Sequence, residues 1–136
     1  MSKTISQLCL ILLFFTLISS KSATNFLGCA KGFAFSSFFE NRIKIPDSAG
    51  LMYYCFDLKI PRSISDQFKG GKEGDGSPGD LVFFGEPGKE VSIVGACLGG
   101  GKMIYLPPNC ELATFRQYKG DPYFGQRIRG YRRYWS

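Results

Sequence analysis

Hydrophobic and polar positions along the chain change their period once, and that change divides the sequence into a helical and a strand-like part. Near the start, MSKTISQLCLILLFFTLISSKSAT places one Lys before an apolar run from Leu8 through Phe15 to Ile18, followed by small residues from Ser19 to Ala23. This order is that of a secretory signal peptide, and the run is shorter than the ~20 apolar residues that span a bilayer. Residues 1–22 are therefore set apart, with cleavage expected between Ser20 and Ala23. The next segment, ATNFLGCAKGFAF, predicts a short helix ending near Gly32.

A better-marked helix follows Pro46, with Asp47 or Ser48 at the N-cap and Gly50-Leu51-Met52-Tyr53-Tyr54-Cys55-Phe56 leading to Leu58. Its apolar positions are dense enough to predict a place in the core. Pro61 ends that region, and PRSISDQF predicts a capped helix from Ser63 to Phe68. GGKEGDGSPGD, with five Gly and one Pro, reads as a loop. Beyond it LVFF, VSIVGACL and KMIYLP are strand-like, joined by the hairpin signals GEPGKE and GGG; LATF and RIRGYRRYW predict two further strands. Helices first and strands afterwards predict an α+β domain, N-terminal helices packed on one antiparallel sheet.

Length confines this to one domain. Removing 22 residues from 136 leaves 114, enough for a single core and too few for two. Removing Lys3 and Lys21 from the 17 basic residues leaves 15 against 11 acidic ones, a mild excess. It concentrates in RIRGYRRYWS, where Arg127, Arg129, Arg132 and Arg133 alternate with aromatic rings. Such a tail could face an anionic polymer, but a last strand with a solvated Arg face is the simpler account, and no nucleic-acid partner is expected. Four cysteines lie beyond the leader: Cys29, Cys55, Cys97 and Cys110. In an exported chain an even count suggests two disulfides, with three possible pairings; Cys55 and Cys97, in apolar runs, could equally be buried thiols.

The composition excludes a good deal of chemistry. With no histidine in the chain, the usual general base of Ser and Cys hydrolases and most zinc and copper sites are missing, and neither metal nor cofactor is expected. EGDGSPGD has Pro78 where a calcium loop needs Gly and Phe84 where it needs the closing Glu. ACLGGGKM has Ala96 in place of the first Gly of a phosphate loop and Met103 in place of its Ser or Thr. Ser48 at a helix entrance invites a nucleophile reading, but a hydroxyl needs an adjacent base, and helix capping accounts for a Ser there without further assumption.

PDSAGLMYYCF, IPRSISDQF, SPGDLVFFGEPG, VSIVGACLGGGKMIYLP and the terminal RRYW, in this order and spacing, resemble the NlpC-type cell-wall peptidases, a papain-like family. The resemblance runs from about Phe33 to the end and implies an NlpC-type domain over residues 23–136. Members usually carry Asp-Cys-Ser-Gly-Leu at the helix entrance, where this chain has Asp47-Ser48-Ala49-Gly50-Leu51. The resemblance thus places Ser48 at the family's nucleophile position, Ile93, between Ser92 and Val94, at its general-base position, and Tyr105 at its third polar position. In the family the base deprotonates the thiol and returns a proton to the leaving amine; Ile93 can do neither. Replacement of the base by Lys44 or Glu90 would need hydrogen-bond reach.

Together, the leader and the resemblance imply a secreted or extracytoplasmic homologue without functional catalytic residues. It would bind a peptide, a peptidoglycan fragment or a protein partner in a remnant groove formed by Asp47, Ser48, Ser92, Ile93 and Tyr105. The alternatives are a Ser48-dependent hydrolase of peptidoglycan peptides and a structural component of an extracellular assembly, held by disulfides and by the basic aromatic tail with Arg132, Arg133 and Trp135.

Overall fold

The computed structural model describes residues 26–30, 47–107 and 114–136. The leader expected over residues 1–22 lies outside them, as do Lys44, Cys110 and the far end of the first expected helix. Among the described residues the helical segments are α1 (26–30), α2 (Ser48–Phe56) and α3 (Ile64–Lys69). Six strands follow: β1 (Lys72–Glu73), β2 (Leu81–Phe84), β3 (Ile93–Gly99), β4 (Lys102–Tyr105), β5 (Thr114–Gln117) and β6 (Ile128–Arg133). They form one antiparallel sheet in the order β1-β6-β2-β3-β4-β5, so the fold is α+β as expected. Among the described residues no helix is long and apolar enough to cross a membrane.

α2 begins where Asp47, in extended conformation, accepts the Gly50 N–H on Oδ1 at 2.9 Å. Asp47 is therefore the cap, and Ser48 is the first helical residue. The helix stops at Phe56, two residues before the expected Leu58, because Asp57 turns left-handed at φ 57° and donates its N–H to Tyr53 O. Leu51, Met52, Cys55 and Phe56 form the buried face, while Tyr53 and Tyr54 point outward and are 48% and 60% exposed. The apolar density of this segment thus covers a half-buried helix rather than one inside the core. α3 is capped by Ser63, whose Oγ accepts the Asp66 N–H at 3.1 Å.

LVFF is buried at every position because the sheet is covered on both sides. Leu81 and Phe83 join Phe26, Leu51, Met52, Phe56, Ala96 and Ile104 beneath the helices. Val82 and Phe84 face the opposite way into a second cluster with Cys97, Met103, Tyr118 and Phe124. Residues following β5 fold back to supply Tyr118 and Phe124, whose rings meet Phe84 at centroid separations of 5.8 and 5.0 Å. Helices on one face account for only half of this covering. The β3–β4 hairpin closes through Gly99, Gly100 and Gly101, all at positive φ, where a side chain would be strained.

Part of the expected loop is a strand. Lys72 and Glu73 pair with Arg133 and Arg132 at the sheet edge, a tertiary pairing that local composition does not encode. Next to it, buried Asp80 accepts the Asp75, Gly76 and Ser77 N–H groups on Oδ2 at 3.0, 3.1 and 3.1 Å and takes Arg133 Nε on Oδ1 at 2.7 Å.

The cysteines divide by sheet face. Cys29 and Cys55 form a disulfide tying α1 to α2 across 26 residues of sequence. In the chain-entropy account such a loop contributes about 3.5 kcal/mol. Cys97, a disulfide candidate from sequence, is a free buried thiol 3.9 Å from Tyr118 Oη. On β3 its side chain points to the second cluster, away from the face that holds Cys29 and Cys55, so it cannot reach them.

Candidate functional site

The N-terminus of α2 meets the ends of β3 and β4 around a cleft of about 340 Å³. Asp47 and Ser48 come from the helix entrance, Ser92 from the residue just before β3, Ile93 from its start, and Tyr105 from the end of β4. All five groove candidates therefore line one cavity. Leu51, Val94, Ala96, Ile104 and Leu106 make its walls largely apolar, and Arg62 and Ile64 close the side toward α3.

Ser48 is nearly enclosed, at 9% exposure. Its Oγ donates to Gln67 Oε1 at 2.8 Å, a buried contact between α2 and α3. Gln67 itself is 1% exposed, and its Nε2 donates to Pro61 O at 2.8 Å and to Arg62 O at 3.4 Å. Those two carbonyls fix the amide with its nitrogen outward and its oxygen on Ser48, so the serine hydroxyl can only donate along this contact. An amide oxygen is far too weakly basic to accept that proton in full near neutral pH.

Ile93 and Tyr105 flank the cleft from adjacent strands and also lean on the second cluster, where the Tyr105 ring meets Phe124 edge-on at 5.5 Å. Among the described residues, the titratable side chains lining the cavity are Asp47, Arg62 and Tyr105. Asp47 already uses one carboxylate oxygen as a cap. Glu90 is not part of the lining, and Lys44 lies outside the described residues. No group of three or more His, Cys, Asp or Glu that could hold a metal occurs among the described residues.

The arginine tail is committed elsewhere. Arg127 pairs with Glu86 at 2.8 Å and lies 4.0 Å over the Tyr123 ring; Arg129 donates to the Glu86 and Lys89 carbonyls. Arg132 donates to Phe68 O at 2.6 Å and covers the Phe68 ring, and Arg133 holds Asp80 and Asp75 while lying over Trp135. Their donors knit β6 to its neighbours instead of facing solvent as an open basic strip.

Sequence reasoning missed two residues of this site. Gln67 had a legible signal: with Ile64 and Phe68 it makes an i, i+3, i+4 stripe on a short capped helix, so an amide stood on an inward face. Arg62 had none, since only the fold brings the turn before α3 to the cleft.

The NlpC/P60 family model matches residues 29–133. Over 69 residues the chain is 44% identical to gamma-D-glutamyl-L-lysine dipeptidyl-peptidase of Bacillus subtilis strain 168, covering 45% of this chain and 23% of that protein. Over 96 residues it is 30% identical to gamma-DL-glutamyl hydrolase of the same organism, covering 64% and 23%. The chain thus spans about a quarter of the length of these curated relatives. Among solved structures it resembles an NlpC/P60 family protein from Bacillus cereus ATCC 10987, with a TM-score of 0.58, 26% identity, and 65% of this chain and 30% of that one covered. It also resembles NlpC1 from Trichomonas vaginalis, with a TM-score of 0.55, 25% identity, and 70% and 38% covered. A match over 29–133, with helices on a six-stranded antiparallel sheet, means that the chain belongs to the NlpC/P60 family.

Proposed function

We propose that this is an exported, catalytically silent NlpC/P60 domain that binds a peptide in the cleft where its relatives cut. One observation carries the reading: the Ser48 hydroxyl, at the position that the resemblance gives to the nucleophile, donates to an amide oxygen and not to a base. Peptide hydrolysis needs a group that takes the nucleophile's proton and returns one to the leaving amine. Ile93 stands where that group belongs by resemblance, and its hydrocarbon side chain can neither take nor return a proton.

The cleft is nevertheless kept open, with apolar walls and polar groups at its rim, the composition of a ligand site. The two curated relatives are named for γ-glutamyl bonds, which favours peptides of that linkage, such as cell-wall fragments, as the ligand class. A purely structural role through the basic tail is the weaker alternative, because the donors of Arg132 and Arg133 are used inside the domain.

The test is digestion of peptidoglycan peptides by mature protein beside a Ser48→Cys, Ile93→His, Tyr105→His variant, read by mass spectrometry. A silent natural protein with a cutting variant supports a binder derived from an enzyme. Cleavage by the natural protein, abolished by Ser48→Ala, establishes the Ser48-dependent hydrolase instead.

A further inference from the structure

A second concavity of about 450 Å³ opens on the outer face of α2, lined by Ala49, Gly50, Tyr53, Lys59, Ile60 and Arg62, with Tyr54 beside them. It shares Arg62 with the cleft, so the two hollows adjoin at that residue. Lys59 and Arg62 take part in no salt bridge among the described residues, in contrast to Arg116, Arg127 and Arg133. Tyr53 stands 48% exposed with its ring edge-on to Tyr54 at 5.3 Å. We propose that this basin is an accessory subsite for a carboxylate-bearing peptide, which runs from the cleft past Arg62 and sets an acidic side chain or terminus between Lys59, Arg62 and the Tyr53 ring. This rests on the reading of the cleft as a peptide site and extends it to the charge of the ligand.

Charge complementarity selects the occupant. Two unneutralised cations beside a partly apolar floor attract an anion and hold it more tightly than open surface would. An isologous contact centred on this basin would set Lys59 and Arg62 near their own counterparts, in a mature chain with 15 basic residues against 11 acidic ones. A nucleic acid needs a continuous track of cations, and the tail arginines that could lengthen this pair are engaged inside the fold.

The experiment measures binding of two acetylated peptides of equal length, alternating glutamate with alanine or glutamine with alanine. They are titrated by calorimetry into the natural protein, into Lys59→Gln with Tyr53→Ala, which alters only the basin, and into Ser92→Trp, which fills only the cleft. The glutamate peptide is expected to bind the natural protein about three- to tenfold more tightly than the glutamine peptide. That preference should shrink with added salt and vanish in the basin variant. Ser92→Trp should weaken both peptides alike. A basin variant that keeps the full preference, or a natural protein that shows none, overturns the subsite while leaving the cleft to be judged by the glutamine peptide. A preference that survives Ser92→Trp at undiminished affinity keeps the basin and removes the cleft reading. Concentration-dependent self-association abolished by the basin variant reassigns the surface to a second copy and overturns the peptide.

Discussion

Ser48 and Gln67, nineteen residues apart, meet in a buried hydrogen bond of 2.8 Å that joins the entrance of α2 to the inner face of α3. Gln67 passes the connection on to the Pro61 carbonyl, so one amide holds three segments around the cleft. Replacing Gln67 by Ala strands the Ser48 hydroxyl and the Pro61 carbonyl together, and unfolding in urea should show a loss of about 2–3 kcal/mol. Ser48→Ala removes only one bond and should cost about 1 kcal/mol. The double variant should fall short of the sum by about 1 kcal/mol, since the shared bond is counted twice. Additive losses would mean that the contact contributes nothing of its own.

Cys97 should behave as a packing residue despite being a thiol. Burial pushes its pKa up to about 12. At pH 7 the thiolate fraction is then on the order of 10⁻⁵, and reagents have no path to it. Iodoacetamide in native buffer should leave Cys97 unmodified over hours, whereas the same reagent in denaturant should label it promptly, as peptide mapping would show. A Cys introduced at Ser48 should label in native buffer, because it sits at a helix N-terminus on the cleft wall. Rapid native labelling of Cys97 would mean that the second cluster opens readily.

How far the sequence foretold this arrangement depends on whether the signal was local. The capped starts at Asp47 and Ser63, the LVFF strand and the triple-glycine hairpin carry their instructions in adjacent residues, and each falls where the pattern places it. The resemblance brought Asp47, Ser48, Ser92, Ile93 and Tyr105 together, and all line one cleft. What escaped was settled at a distance. Lys72 and Glu73 are a strand only because Arg132 and Arg133 lie beside them. Tyr118 and Phe124 look like loop aromatics until the chain turns back across the sheet. Cys97 differs from Cys55 as a bonding partner only through the face of β3 on which it lies, and its count among four cysteines could not reveal that.

Asp80 anchors the edge of the sheet, and its removal should be among the costlier polar substitutions in the chain. It is fully buried, accepts three loop N–H groups and is held by Arg133 through both carboxylate oxygens, at 2.7 and 2.9 Å. Asp80→Ala leaves the Asp75 and Gly76 N–H groups and Arg133 Nε without an acceptor, while the Ser77 N–H and Arg133 Nη2 keep Asp75 Oδ1. Since Arg133 is 28% exposed and can rehydrate in part, the expected loss is about 3 kcal/mol, at the lower end for a broken buried pair. Asp80→Asn should recover a portion by keeping one acceptor oxygen for the loop. The same variants should raise hydrogen exchange at Asp75, Gly76 and Ser77 before the rest of the sheet, which a purely global destabilisation would not do.

Acid should loosen two turns in a sign-defined way. Asp121 has its pKa lowered below 3.8, first because its carboxylate accepts the Phe124 N–H, with Arg116 and the Tyr123 N–H adding to it. Asp75 is also lowered, first by the Ser77 hydroxyl and the Ser77 N–H. A carboxylate whose folded pKa lies under its unfolded value binds protons less readily when folded, so it stabilises the fold at pH above the unfolded value. That contribution is lost as pH falls from about 3.8 through the lowered folded pKa. Thermal midpoints should therefore be flat with respect to these two groups from pH 7 to 5 and decline below pH 4. Asp121→Asn and Asp75→Asn should each reduce the decline below pH 4 while lowering the midpoint at pH 7. An acid decline of unchanged steepness in both variants would assign the effect to other carboxylates. Because Asp121 sets the turn that carries Phe124 onto the second cluster, its protonation should also reach the cleft through Tyr105, whose ring rests on Phe124. Peptide binding in the cleft should then weaken in the same pH window, and in Asp121→Asn at pH 7.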